Sequence, residues 1–181
     1  MTARVPHTIA VALQMIATAT NLTVQAEQSV SSAVEAAEQI VAAVVEMSAA
    51  MGRVGGVHPL DLRVVRQCVR RARYRVRCMH DQARAAAEAT WIARMTAREI
   101  SDLLHLDPPP TADVLAATEK AMKAAGRAER AARLARAHLW EGHRAALTAA
   151  QLLDRTERAA QDNGPSTARA READMPRPSR A

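Results

Sequence analysis

Aromatic side chains are nearly missing from this chain of 181 residues, which has no phenylalanine, one tyrosine and two tryptophans. The hydrophobic share of 49 % therefore consists mainly of small and aliphatic residues, and alanine alone occupies 42 positions. This share excludes wholesale disorder. It cannot fill a thick core, but it favours long helices in close contact, because alanine is the best helix former and its methyl group lets backbones approach each other.

Enzyme signatures are missing as well. The sequence contains no phosphate-binding loop, nucleophile elbow or paired-cysteine motif. The glycine cluster at 52–56 is followed by Val57, His58 and Pro59 instead of the residues of a phosphate loop, so it predicts a connection between helices. Six histidines occur without the ligand spacing of a zinc site. We therefore expect no catalysis, no cofactor, no metal and no small-molecule substrate.

Cysteine is scarce too, with Cys68 and Cys78 as its two occurrences. On one helix these residues would lie about 15 Å apart along the axis, which is too far for a disulfide bond. Free thiols are typical of a reducing compartment, so we expect a cytoplasmic protein. The uncharged segment 8–26 holds too many glutamine, threonine and asparagine residues for a membrane span, and Gln14 interrupts the apolar run that a secretory signal needs. We therefore expect neither a membrane span nor a secretory signal.

Proline is confined to a few positions that divide the chain. The eight prolines lie at 6, 59, 108, 109, 110, 165, 176 and 178. A proline inside a helix costs about 3 kcal/mol, so the proline-free windows predict helices at about 8–52, 60–106 and 111–162. Together these helices would make residues 1–162 one bundle. The residues from 163 to 181 are mostly small, charged or proline, and we expect them to form a disordered basic tail.

Each window has apolar or small residues at alternating three- and four-residue spacings, which is typical of a coiled-coil seam. The seam of the first window is Ile9, Leu13, Ile16, Thr20, Thr23, Glu27, Val30, Val34, Ala37, Val41, Val44, Ser48 and Met51. The second and third seams begin at Leu62 and Val114. Gly142 falls on the third seam, where we expect it either to allow close approach of a neighbouring helix or to break its own helix.

Three long helices joined by short connections must fold back on one another. The predicted fold class is therefore all-α, a long antiparallel three-helix bundle of the coiled-coil type with a disordered C-terminal tail. The charge pattern agrees with this topology. The first window holds acidic residues, and folding back brings them to the level of arginines in the second window.

Basic residues outnumber acidic ones by 25 to 19, and the net charge of +6 favours an anionic partner. Arginine accounts for 23 of the basic residues, a bias typical of a bacterial genome of high GC content. The densest basic segment is the arginine run, which is Arg63, Arg66, Arg70, Arg71, Arg73, Arg75 and Arg77. Carboxylates of the neighbouring windows lie at its level, so we expect it to be compensated. They are Glu35, Glu38, Glu46, Glu141, Asp154 and Glu157.

A second basic segment lies in the third window and has only Glu119 and Glu129 beside it in sequence. It is the predicted polyanion-binding segment, because its charge is less compensated than that of the arginine run. Its members are Lys120, Lys123, Arg127, Arg130, Arg133 and Arg136.

The first window also has apolar residues outside its seam. They are Val11, Met15, Leu22, Ile40 and Met47. These residues exceed what two neighbouring helices need to cover, so we predict that they form a partner face. The predicted function is that of a non-enzymatic helical-bundle interaction or scaffold protein, which self-associates or binds a helical protein partner. The alternative is a basic helical protein that associates with nucleic acid or another polyanion.

Two short segments resemble known families. The sequence Trp140-Glu141-Gly142 resembles the W-x-G motif of small helical-hairpin substrates of specialised secretion systems, and this resemblance implies an exported protein as a second alternative. In that family the motif lies in a turn between two helices. The segment 96–106 resembles the first helix of bacterial helix-turn-helix domains, although three prolines follow where the recognition helix would begin.

Overall fold

The computed structural model describes residues 7–53, 58–106 and 109–173. These residues form three helices, α1 (His7–Arg53), α2 (Pro59–Leu104) and α3 (Thr111–Ala173). Each helix packs against both of the others, and no strand occurs in the described ranges. The short connections make successive helices antiparallel. The predicted fold class, an all-α antiparallel three-helix bundle, is confirmed.

The start of α2 shows why the sequence places helix boundaries at the prolines. His58 has extended backbone dihedral angles and its Nδ1 accepts a hydrogen bond of 3.3 Å from the backbone N–H of Leu60. Pro59 occupies the first turn, where its missing N–H leaves no bond unmade, and Asp61 adds negative charge at the helix N-terminus. The cap and the proline together determine where α2 begins.

The end of α3 differs from the prediction. The helix continues through Asn163, Gly164 and Pro165 to Ala173, instead of ending near residue 162. A proline in a helix removes one backbone hydrogen bond, but the bonds of the turns before and after it can still form. The rest of the predicted tail, residues 174–181, lies outside the described part of the chain.

The buried stripe of each helix is wider than a two-row seam. In α1 the central row repeats every seven residues and is Ile9, Ile16, Thr23, Val30, Ala37, Val44 and Met51, as predicted. The flank that is buried most deeply is Ala12, Ala19, Ala26 and Ala33, whereas the predicted flank begins with Leu13, which is 39 % exposed. A helix that contacts two neighbours needs such a broader stripe. Glu27 therefore lies at the half-buried edge of the stripe and does not interrupt the core.

The middle of the core consists almost entirely of alanine. Of the buried members of its largest cluster, only Val30 and Met79 are not alanine. Larger side chains mark the two ends, with Ile16 and Ile100 in one cluster and Val44 and Cys68 in the other. Methyl-lined contacts allow the three backbones to pack closely over the central turns.

Four buried threonines have hydrogen-bonded hydroxyl groups, whereas the buried hydroxyl of the half-buried Thr20 has no partner among the described residues. The Thr90 hydroxyl donates to the Ala86 carbonyl at 3.0 Å within α2 and lies 3.2 Å from the Thr23 carbonyl of α1. Thr96 and Thr118 donate to carbonyls one turn earlier in their own helices. The contact between the Thr90 hydroxyl and the Thr23 carbonyl joins α2 to α1, while the hydroxyl remains bonded within its own helix.

Gly142 neither breaks α3 nor permits a close helix approach, so both expectations for it were wrong. The helix continues through this residue, and a Cβ atom added there would meet no heavy atom within 4 Å. We expect Gly142→Ala to raise the free energy of unfolding by about 0.5–1 kcal/mol, because alanine loses less conformational entropy in a helix. Urea denaturation measures this change.

Gly126→Ala is the control for that substitution, since Gly126 is an exposed residue of α3 and a Cβ added there would also meet no heavy atom within 4 Å. Both variants should gain stability by similar amounts. A loss of stability in Gly142→Ala alone would show that the helices approach each other at this position after all.

Candidate functional site

The predicted partner face divides into two parts in the structure. Val11, Met15 and Leu22 are 41 %, 40 % and 45 % exposed, and we call these three residues the α1 face. Ile40 and Met47 are half-buried instead and pack against the core cluster that contains Val44. They follow the alanine flank of the buried stripe at seven-residue spacing, which explains why they belong to the core boundary.

The part of α1 that carries the α1 face has no acidic or basic side chain, whereas α3 has the Glu119–Lys123 ion pair beside Leu115 and Met122. After His7, the first acidic or basic side chain of α1 is Glu27, five residues beyond Leu22. Leu115 and Met122 of α3 are also exposed, and Ala117 and Ala121 between them pack in one cluster with Ile16. Exposed apolar residues of α1 and α3 therefore lie at the same end of the bundle.

The arginine run is much less compensated than expected. Within the described ranges, Arg75 is its one member that forms an ion pair, and its partner is Glu141 of α3. Glu38 lies at the predicted level but pairs with His80, at 3.4 Å. Five arginines of the run share the exposed side of α2 and form no ion pair with a described residue. We call them the arginine stripe, and they are Arg63, Arg66, Arg70, Arg73 and Arg77.

The predicted polyanion-binding segment of α3 has more ion pairs than the arginine run. Lys120 pairs with Glu99 of α2 at 3.4 Å, Lys123 pairs with Glu119 at 2.6 Å, and Arg133 lies 4.0 Å from Glu129. The contact with Lys123 lowers the pKa of the Glu119 carboxyl group. The other three members, Arg127, Arg130 and Arg136, form no ion pair with any described carboxylate.

Sequence reasoning missed a groove between α2 and α3. One part of this groove is a hollow of about 880 Å³, lined in part by Cys68, Arg71, Arg75, Trp140 and Arg144. Neither helix alone indicates this hollow, because it depends on the axial register of α2 against α3. Burial raises the pKa of the Cys68 thiol, and the charge of Arg71 opposes that shift in part.

Two of the three exposed aromatic residues, Tyr74 and Trp140, contact arginines. The Arg144 guanidinium carbon lies 5.6 Å from the centre of the Trp140 ring, and that of Arg75 lies 5.5 Å from the centre of the Tyr74 ring. A hydrogen bond with Cys78 raises the pKa of Tyr74. Trp140, Glu141 and Gly142 lie inside α3 and not in a turn, unlike the W-x-G motif that they resemble.

By length and composition, α1 could cross a membrane. It contains an 18-residue window of mean hydropathy 1.3, and 33 % of this window is buried inside the bundle. A core helix of a soluble protein and a signal sequence near an N-terminus have the same properties. No group of three or more potential metal ligands of the His, Cys, Asp or Glu type occurs within the described residues.

Comparison with protein families, with curated proteins and with solved structures found no match to this chain. The structure therefore defines this protein by its architecture alone, which is a long three-helix bundle with an alanine core.

Proposed function

We propose that this protein is a non-enzymatic interaction protein, whose α1 face binds another helical surface, in the first place that of a second copy. The observation that carries this proposal is the exposure of Val11, Met15 and Leu22 in a part of α1 that has no charged side chain. Apolar residues that are contiguous on a soluble surface usually mark an interface. Two such uncharged faces can pack together without like-charge repulsion, despite the net charge of the chain.

The experiment replaces Met15 and Leu22 by glutamate. We expect the wild-type chain to sediment above its monomer mass of 19.5 kDa and the double variant to sediment at that mass. Both side chains are exposed, so the double variant should stay helical and lose only about 1 kcal/mol of folding free energy. Sedimentation velocity and circular dichroism measure the two quantities.

The matched control replaces Met95 and Leu134 by glutamate, since these residues are 40 % and 44 % exposed but border the groove between α2 and α3. The control variant should keep the wild-type mass. An unchanged mass for the Met15 and Leu22 variant, or an equal loss of mass in the control, would exclude the α1 face as the interface.

The second candidate function is association with nucleic acid or another polyanion. The arginine stripe supports it, because five exposed guanidinium groups without ion pairs to described residues can neutralise successive phosphates. The segment of α3 predicted from the sequence remains a competing site. Its charge is reduced by the ion pairs of Lys120, Lys123 and Arg133.

Two triple variants distinguish these sites. One replaces Arg66, Arg70 and Arg73 of the stripe by glutamine, and the other replaces Arg127, Arg130 and Arg136, the unpaired members of the α3 segment. For duplex DNA, each lost phosphate contact should reduce the slope of log K against log salt by about 0.9. We expect the larger reduction in the stripe variant. A larger reduction in the α3 variant would assign binding to the α3 segment, and no change in either would exclude both.

A further inference from the structure

The residues that line the hollow between α2 and α3 have no role in either proposed function. Arg71 and Arg75 of α2 face Trp140 and Arg144 of α3 across it, and we call these four residues the basic hollow. Its volume of about 880 Å³ lies within the range of small-molecule sites, and Val64, Ala137 and Ala145 form an apolar part of its wall. It lies in the half of the bundle opposite the α1 face.

Positive charge exceeds negative charge in the basic hollow. Three arginines line it together with a single carboxylate, Glu141, which pairs with Arg75. Arg71 and Arg144 form no ion pair with a described residue. An anion would therefore find two guanidinium groups without a carboxylate partner, each able to donate two parallel hydrogen bonds.

The guanidinium group of Arg75 is held in a defined orientation, but not all of its hydrogen-bond donors have a partner. Besides Glu141 it contacts the Nδ1 of His138 at 3.3 Å, so α3 fixes its guanidinium group from one side. Its Nε is buried and has no hydrogen-bond partner among the described residues. Arg75 therefore contributes a positive charge of fixed position, paired with Glu141, to the wall of the basic hollow.

Trp140 gives the basic hollow a flat apolar surface. Its side chain is 64 % exposed, and the Arg144 guanidinium lies 5.6 Å from the ring centre. A ring with an adjacent guanidinium provides a stacking surface for a planar ligand.

We propose that the basic hollow binds a planar aromatic anion, a small molecule that joins one acidic group to a flat ring. The acidic group, a carboxylate or a phosphate ester, lies against Arg71 and Arg144, the two lining arginines without an ion pair to a described residue. The ring stacks on Trp140 beside Arg144, over the apolar wall that includes Ala137 and Ala145. This assignment is independent of the α1 face.

Fluorescence of Trp140 tests the proposal in the full chain with Trp91→Phe, which leaves Trp140 as the only tryptophan. The probes are 2-naphthoate, with a ring and a carboxylate, and adenosine 5′-monophosphate, with a ring and a phosphate. The controls are 2-naphthalenemethanol and adenosine, which lack the acidic group, and inorganic phosphate, which lacks the ring. We expect at least one probe to bind about tenfold more tightly than its controls, because its ring and its acidic group both contribute to the affinity. The change in fluorescence should then occur at a concentration about tenfold lower than for the controls.

Arg71→Gln and Arg144→Gln, both at exposed positions, should each weaken binding of that probe by about tenfold, as expected for loss of a charge-assisted hydrogen bond. Arg94→Gln, at an exposed position of α2 outside the hollow, is the control and should bind as the parent chain does. The proposal is overturned if neither probe binds more tightly than its controls, or if Arg94→Gln weakens binding as much as Arg71→Gln. Equilibrium dialysis gives the same dissociation constants without relying on fluorescence.

Discussion

Met79→Ala should lower the free energy of unfolding by about 2–5 kcal/mol, which is a large part of the stability of a typical domain. Met79 is fully buried in the middle of the bundle, in a cluster whose other buried members are Val30 and alanines. Alanine side chains have no rotamers with which to fill the space that Met79 would leave. The cavity should therefore persist, and the cost should lie in the upper part of the range.

Met95→Ala is the control for that substitution, since Met95 is 40 % exposed on the same helix. Met95→Ala should change the free energy of unfolding, measured by urea denaturation, by no more than about 0.5 kcal/mol, as most surface substitutions do. Equal losses of unfolding free energy in Met79→Ala and Met95→Ala would contradict the placement of Met79 at the centre of the core.

Ala86→Leu tests the close approach of the helices at the alanine core. Ala86 is fully buried against the other two helices, so three additional carbon atoms would force the backbones apart. We expect a loss of about 1–3 kcal/mol from overpacking. Thermal denaturation of the variant and the wild-type chain measures it.

The neighbouring residue provides the control, because Ala87 is exposed on the same turn of α2. Ala87→Leu has the same change in helix propensity and volume, and we expect its stability to stay within about 0.5 kcal/mol of the wild type. If Ala86→Leu were as stable as Ala87→Leu, the core would contain unfilled space and the helices would not be in close contact.

The sequence predicts the fold because its strongest signals are local. Proline placement gives the ends of α1 and α2 to within two residues, and seven-residue repetition gives the central row of each buried stripe. The buried flank of α1 was missed because alanine is only weakly hydrophobic, so Leu13 looked like a better core residue than Ala12. In an alanine core, however, the smaller side chain lies inside since it permits close contact.

The surfaces were less predictable because they depend on how two helices face each other. The sequence indicates that Glu38 and Glu141 lie level with the arginine run, but not which basic side chain each one reaches. Glu38 contacts His80, and Glu141 contacts Arg75. The groove between α2 and α3 likewise requires the register of two helices, which a pattern along one helix does not contain.

Oxidation footprinting of methionines at increasing protein concentration tests directly whether the α1 face is an interface. Met15 and Met95 are equally exposed in the single chain, at 40 % each, so they should be oxidised at similar rates in dilute solution. As copies associate, oxidation of Met15 should slow severalfold while that of Met95 stays constant. Equal oxidation rates for Met15 and Met95 at every concentration would show that the α1 face is not an interface.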